Sequence, residues 1–131
     1  MLKKDHIMSY RVYIEDTDVM GIVYHAQYLC FFERARTELL RDHQLSLTVM
    51  AEYHTYFAIR DLYIRYHYPA RLDDMLQITT SIDSKKSCSL NFKQSMRNQN
   101  GKLVSEATMT VVTVDHELKP KRLPDIGELG K

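Results

Sequence analysis

The sequence carries almost no net charge. Its 18 Lys and Arg residues are nearly balanced by 17 Asp and Glu residues, which gives a formal net charge of +1. Attraction of the whole protein to nucleic acid or to an anionic membrane needs a clear excess of positive charge. We therefore expect no nucleic-acid partner, and any anionic ligand must be held by a local basic cluster.

Cysteines and long apolar runs are also scarce. Cys30 and Cys88 are far apart and fit neither a CxxC pair nor a metal-ligand spacing, which favours a reduced protein over a disulfide-stabilised one. Residues 1–10 lack the apolar core of a signal peptide, and no later run is long enough to span a bilayer. We predict a cytoplasmic protein, with peripheral membrane association left open.

No repeat, low-complexity stretch or linker divides the 131 residues. A chain of this length can bury one core but is too short for two domains, so residues 1–131 are predicted to form a single domain. Hydrophobic residues make up 44% of the chain and charged residues 27%, which indicates a folded globular protein rather than a disordered one.

The spacing of apolar residues changes along the chain, which predicts an α+β fold. A strand with one buried face is followed by one long amphipathic helix, and from about residue 56 onward the chain reads as strand. Polar residues are predicted to form turns between the later strands, and the tail is predicted to be exposed and weakly ordered. The predicted strands are residues 8–14, 62–68, 76–82, 88–96 and about 103–115. The predicted helix runs from residue 26 to about residue 42. The predicted turns are residues 83–87 and 100–101, and the predicted tail begins at residue 119.

The last predicted strand keeps apolar residues on both of its faces, at Val104, Met109, Val111, Val112 and Val114. A single helix covers only one face of a sheet. The second apolar face is therefore expected to contact another copy of the chain.

Two carboxylates, a glycine and a histidine come directly before the long helix, at Asp16, Asp18, Gly21 and His25. A helix start exposes N–H groups without intrahelical partners and carries a partial positive charge, so it stabilises a negative oxygen nearby. A carboxylate beside such a helix end suits acyl transfer, in which the carboxylate acts on the carbonyl carbon and the helix end holds the oxyanion.

Two other interpretations of this segment stay open. Asp16 and Asp18 form a DxD pattern that, with His25, is a candidate metal site, but the further ligands of a stable site are not identifiable. We therefore predict no metal and no cofactor. The second alternative is that one aspartate caps the turn and the other is a solvated charge.

The segment from Glu15 to Arg36, EDTDVMGIVYHAQYLCFFERAR, resembles the hotdog-fold acyl-CoA thioesterases of the 4-hydroxybenzoyl-CoA thioesterase family. Within that family it is most similar to the branch associated with the Tol-Pal cell-envelope system, often called YbgC-like. The likeness extends over essentially the whole chain, since its length and element order also match. It rests on Asp16, Asp18, Gly21, Val23, Tyr24, His25, Tyr28, Phe31, Glu33, Ala35 and Arg36.

The resemblance implies a hotdog fold, with an antiparallel sheet wrapped around one long central helix. It also implies dimers with active sites at the subunit interface and, commonly, two such dimers in a homotetramer. The implied activity is hydrolysis of an acyl-CoA thioester, with acyl carrier protein as a further possible carrier of the acyl group. Whether the acyl group is aliphatic or aromatic, and how long it is, stays open.

The family's catalytic carboxylate falls on Asp18, as a nucleophile or as a general base, and its carbonyl-polarising N–H group falls near His25. His25 itself either binds or orients the thioester or only fixes the helix start through its backbone, and we predict the catalytic role. Asp16 is expected to order the loop. Tyr24 is a candidate wall of the substrate site. Glu33 either borders the pocket or forms an ion pair with an arginine on the helix surface.

Coenzyme A also carries phosphates, which a basic turn can bind. Lys85, Lys86 and Ser87 form such a turn, and Arg122 lies in the basic tail, so we predict that these residues contact the nucleotide part. The alternative is that both segments are simply solvated. For the whole protein, the alternatives to hydrolysis of acyl-CoA are a non-catalytic acyl-binding or scaffold protein and a thioesterase for aromatic acyl groups.

Overall fold

The computed structural model describes residues 5–124. Five strands form one antiparallel sheet in the order β1-β3-β4-β5-β2, and a long helix packs across it. The predicted α+β hotdog fold is confirmed. The elements are β1 at His6–Arg11, a 3₁₀ turn at Ile14–Asp16, α1 at Gln27–Asp42, α2 at Leu47–Glu52, β2 at Tyr56–Tyr66, β3 at Met75–Lys86, β4 at Ser89–Arg97 and β5 at Leu103–Val114.

The core lies between α1 and the inner face of the sheet. The helix buries large apolar residues spaced three and four apart, so they share one face. Each fully buried side chain of this size contributes about 1.5–3 kcal/mol through the apolar surface removed from water. The helix residues are Phe31, Phe32, Ala35, Leu39 and Leu40, and the sheet residues that share their cluster include Leu76, Ile78, Leu90, Phe92, Met96, Met109 and Val111.

The prediction that β5 keeps apolar residues on both of its faces holds only towards the end of the strand, where Val112 and Val114 alternate with Val111. Met109 and Val111 are buried on the inner face, and Val104 and Val114 are also buried. The residues that alternate with the inner ones at the centre of β5 are Glu106, Thr108 and Thr110, which are polar. Exposed apolar side chains instead cluster on β2, at Tyr56, Ile59, Leu62, Tyr63 and Tyr66.

The first strand ends earlier than predicted. Ile14 lies in the 3₁₀ turn and is 73% exposed, because the Asp16 carboxylate accepts the Tyr13 N–H and turns the chain away from the sheet. Helix α2 was not predicted; Ser46 caps it by accepting the Val49 N–H.

Two later boundaries also differ from the prediction. The turn predicted at residues 83–87 is mostly strand, because β3 continues to Lys86 through a register shift between Ile82 and Ser84. The tail at residues 119–122 is exposed but not loosely attached. The Lys121 N–H donates to the Thr113 carbonyl, and Leu123 beyond it is buried. Residues 125–131, also predicted to be a weakly ordered tail, lie outside the described residues.

Candidate active site

Asp16 fixes the loop that precedes α1. Its side chain is buried, and its two carboxylate oxygens accept the Tyr13 N–H at 2.8 Å and the Gln27 side-chain amide at 2.9 Å. The Asp16 carbonyl also accepts the Tyr24 N–H at 3.0 Å. Since Gln27 is the first residue of α1, these bonds tie the loop to the helix start. Asp16 therefore has the loop-ordering role that the sequence predicts.

Asp18 lies in a tight turn beside that helix start. Its Oδ1 accepts the Met20 N–H at 2.8 Å, its N–H donates to the Ile22 carbonyl, and its carbonyl accepts the Gly21 N–H. Gly21 has φ of 78°, which an L side chain rarely adopts, so glycine is needed here. Oδ2 of Asp18 has no hydrogen-bond partner among residues 5–124. One carboxylate oxygen is thus held in place and the other is available for chemistry.

The start of α1 leaves backbone donors unused. Ala26 occupies the N-cap position and offers no side-chain cap. Within the described part of the chain, the N–H groups of His25 and Ala26 donate to no protein acceptor. Unpaired N–H groups at a helix start form a natural site for a developing negative charge.

Tyr66 connects the end of β2 to this helix start, which sequence reasoning missed. Its hydroxyl donates to the His25 carbonyl at 2.7 Å, and its ring lies edge-on to Tyr28 with centroids 5.1 Å apart. Burial is the main cause that raises the pKa of Tyr66 and of Tyr28, and the Asp18 charge adds a small contribution at Tyr28. No spacing pattern signals this contact, because Tyr66 and His25 are 41 residues apart.

His25 and Tyr24, both predicted site residues, lie together on the surface. Their rings are 4.6 Å apart between centroids, and Tyr24 is 49% exposed. The described contacts give the His25 ring no hydrogen bond within the chain. Both rings are therefore accessible to a substrate or to a partner subunit beside Asp18.

The predicted phosphate-binding residues lie at the other end of the molecule. Lys86 and Ser87 line a cavity of about 470 Å³ together with Arg60, which was not predicted. Arg122 lies next to this cavity because the Leu123 N–H donates to the Ser87 carbonyl at 2.9 Å. Lys85 is partly buried and does not line it.

This basic cavity is remote from Asp18 within one chain. The Asp18 loop bonds to the segment just before β3, where the Leu72 N–H donates to the Gly21 carbonyl. Lys86 is the last of the 12 residues of β3. At about 3.3 Å per residue, the strand separates the two places by roughly 35 Å.

A second cavity, of about 300 Å³, lies between α1 and β2. Glu33 lines it and accepts the Thr37 hydroxyl at 2.8 Å. The alternative role of Glu33, an ion pair with Arg34 or Arg36, is not observed among residues 5–124 at distances up to 4.0 Å. The remaining lining is mostly apolar and comes from Leu40, Leu47, Phe57, Ala58, Ile59, Phe92 and Val111.

The DxD pattern does not form a shared ligand set in this structure. Asp16 uses both carboxylate oxygens for protein donors, so only Asp18 has a free one. Across residues 5–124, no three His, Cys, Asp or Glu side chains converge as metal ligands. The helices of the same range include none long and apolar enough to cross a membrane.

Comparison with known proteins identifies the family. The model for the thioesterase-like superfamily matches residues 12–127. The chain belongs to this superfamily. It is 48% identical over 115 residues to the acyl-CoA thioester hydrolase YbgC of Escherichia coli O6:H1, covering 87% of this chain and 86% of that protein.

Two further similarities agree with this assignment. The chain is 40% identical over 126 residues to the acyl-CoA thioesterase YbgC of Haemophilus influenzae, covering 95% and 92% of the two proteins. The solved structure of a probable thioesterase from Bartonella henselae matches with a TM-score of 0.87 and 35% identity, covering 92% of this chain and 100% of that one. The predicted resemblance to YbgC-like hotdog thioesterases is confirmed.

Proposed function

We propose that this chain hydrolyses acyl-CoA thioesters through the Asp18 carboxylate. The chain is an acyl-CoA thioester hydrolase by its family and by relatives 48% and 40% identical to it over most of their length. The proposal adds the residues that perform the reaction. Its main support is the pairing of a half-free carboxylate at Asp18 with unused N–H groups at the start of α1.

The chemistry needs a nucleophile at the carbonyl carbon and a donor at the carbonyl oxygen. Asp18 supplies the first, either by attacking to form an acyl anhydride or by taking a proton from the attacking water. The helix-start N–H near His25 supplies the second by stabilising the oxyanion. On the general-base route, collapse of the tetrahedral intermediate breaks the C–S bond, the proton held by Asp18 passes to the leaving thiolate, and the acyl group leaves as the free acid. On the nucleophile route, the coenzyme A thiolate leaves first and takes a proton from water, and a water molecule then hydrolyses the acyl anhydride, which releases the free acid and restores the Asp18 carboxylate.

We propose that the active unit is a dimer formed along β2. This strand has 11 residues, lies at the edge of the sheet and pairs only with β5 in the described part of the chain. It also carries the exposed apolar residues Ile59 and Leu62. A long, apolar, unpaired edge is a template for pairing with another strand. Two such dimers would form the homotetramer that the family resemblance implies.

Antiparallel pairing of two β2 strands would also bring the separated parts of the site together. The end of β2 contacts the helix start through Tyr66, whereas its beginning lies near the basic cavity because Tyr56 pairs with Val114, which lines that cavity. In an antiparallel pair, the beginning of one strand lies beside the end of the other. Lys86, Arg60 and Arg122 of the partner subunit could then hold the phosphates of coenzyme A bound at Asp18.

We also propose a cytoplasmic location, which is where coenzyme A esters and reduced cysteines are expected together. Cys30 and Cys88 are both free thiols. Acyl carrier protein stays a candidate second carrier of the acyl group, and peripheral membrane contact a candidate property. Within residues 5–124, we identify no surface that is specific to acyl carrier protein or to a membrane.

The test compares Asp18→Asn with a matched control. Asp83→Asn makes the same change at an exposed aspartate on β3, outside the loop. Release of free thiol from acyl-CoA should fall by about 10²-fold or more in Asp18→Asn, as expected for a lost general base or nucleophile. Asp83→Asn should match the wild type. Equal turnover by Asp18→Asn and wild type would refute the proposal, and a wild type without turnover would favour the acyl-binding scaffold.

A further inference from the structure

The cavity between α1 and β2 is lined by a cation, Arg36, that forms no direct ion pair within residues 5–124. Arg36 lines this cavity, and its Nη1 donates to the Gln94 side-chain oxygen at 3.1 Å. Gln94 is neutral and almost fully buried. Within residues 5–124, no carboxylate lies within 4.0 Å of Arg36. A guanidinium in a largely apolar wall is therefore held by one uncharged acceptor.

The acceptor of Arg36 is fixed by further hydrogen bonds. The Gln94 amide also donates to the Phe32 carbonyl and to the Thr80 hydroxyl, both at 2.9 Å, so Gln94 joins α1 to the sheet. Burial is the main cause that lowers the pKa of Arg36, which reflects the cost of holding its charge there. A guanidinium has five N–H donors. Only one of those on Arg36 has an identified acceptor within residues 5–124, the Gln94 side-chain oxygen.

The cavity favours a neutral oxygen over an anion. Glu33 lines the same space one helical turn before Arg36 on α1, and its negative charge partly balances that of Arg36. A ligand carboxylate would be repelled by Glu33, whereas a carbonyl oxygen can accept from Arg36 without adding charge. At about 300 Å³ the cavity is at the small end of ligand pockets, which suits a short acyl group.

We infer that Arg36 binds an oxygen near the far end of the acyl group, so that the enzyme prefers oxoacyl-CoA substrates to their alkyl analogues. The inference rests on the proposed function, because it takes this cavity as the acyl site. Arg36 acts here as a specificity-determining residue. A site that hydrogen-bonds a substrate oxygen discriminates strongly against the analogue that lacks it, since the donor is then left unpaired.

The test uses pairs of acyl-CoA esters that differ by one oxygen. Alkyl acyl-CoAs of four to eight carbons are each compared with the analogue that carries a ketone on the carbon before the terminal methyl. In the wild type, kcat/KM for at least one oxo ester should exceed that of its alkyl partner by about tenfold, as expected for one hydrogen bond to a charged donor. In Arg36→Met this ratio should fall to about one, while alkyl esters are still hydrolysed.

Two further variants separate specificity from folding. Arg41→Met removes an exposed arginine on the same helix that pairs with Glu38 and does not line the cavity, so it should keep the wild-type ratio. Arg36→Lys keeps a charge and should retain part of the preference. The inference is overturned if no pair differs in the wild type, or if Arg36→Met lowers both members of a pair equally. If the wild type hydrolyses none of the esters, the proposed function itself is rejected.

Discussion

Replacement of Asp16 by Ala tests whether this residue holds the catalytic loop. The change removes the acceptors of the Tyr13 N–H and of the Gln27 side-chain amide. Both bonds are part-buried, and a hydrogen bond to a charged group contributes about 1.5–3 kcal/mol, so with water replacing part of the loss the pair should lower the free energy of unfolding by about 2–4 kcal/mol. For a domain of this size, 1 kcal/mol corresponds to about 4 °C, which predicts a Tm lower by about 8–16 °C.

The assay is thermal unfolding followed by circular dichroism, at equal protein concentrations because an oligomer's Tm depends on concentration. Asp16→Asn is the matched control, since its amide oxygen can still accept the Tyr13 N–H, and its Tm should fall between the other two. Because the loop also positions Asp18, kcat of Asp16→Ala should fall by about tenfold or more. A Tm for Asp16→Ala within about 2 °C of the wild type would show that these two hydrogen bonds do not stabilise the loop.

Three further outcomes are expected. Tyr66→Phe removes the hydroxyl that holds the His25 carbonyl, so steady-state kinetics should show a lower kcat with KM little changed. Lys86→Ala and Arg122→Ala should raise KM for acyl-CoA more than they lower kcat, because phosphate contacts are similar in the ground and transition states. An unchanged KM at low salt would indicate that these residues are solvated and do not contact coenzyme A. Ile59→Lys places a charge on the edge strand β2, which should weaken pairing with a second copy. Light scattering should then show a mass nearer to that of one 15.5 kDa chain. A wild type that is already monomeric would contradict the dimer proposal.

The helix and most strands were predictable because each repeats a simple spacing of apolar residues. Boundaries failed where a side chain overrides that spacing. Asp16 turns the chain out of the first strand, and the register shift after Ile82 extends β3 through residues that look like a turn. Helix α2 was missed because it has six residues, too few for a clear period.

The site was predictable only where its residues are close in sequence. Asp16, Asp18 and His25 lie within ten positions, and the motif around them carries the family resemblance. Arg60 reaches the basic cavity and Tyr66 reaches the start of α1 only because the sheet folds, and no local sequence pattern predicts either contact. The environment of Arg36 likewise depends on Gln94, a strand residue 58 positions away.

In the proposed mechanism the Asp18 carboxylate takes part in the chemical step and is not needed for substrate binding. The direct measurement is to titrate one preparation of Asp18→Asn with acyl-CoA and to follow both binding and thiol release. Asn keeps the size of the side chain and an oxygen that can accept the Met20 N–H, so the loop should stay in place. We expect Asp18→Asn to have a dissociation constant close to the wild-type KM, with kcat lower by about 10²-fold or more. Turnover at the wild-type rate, or lost binding with unchanged kcat, would show that Asp18 is not the reacting group.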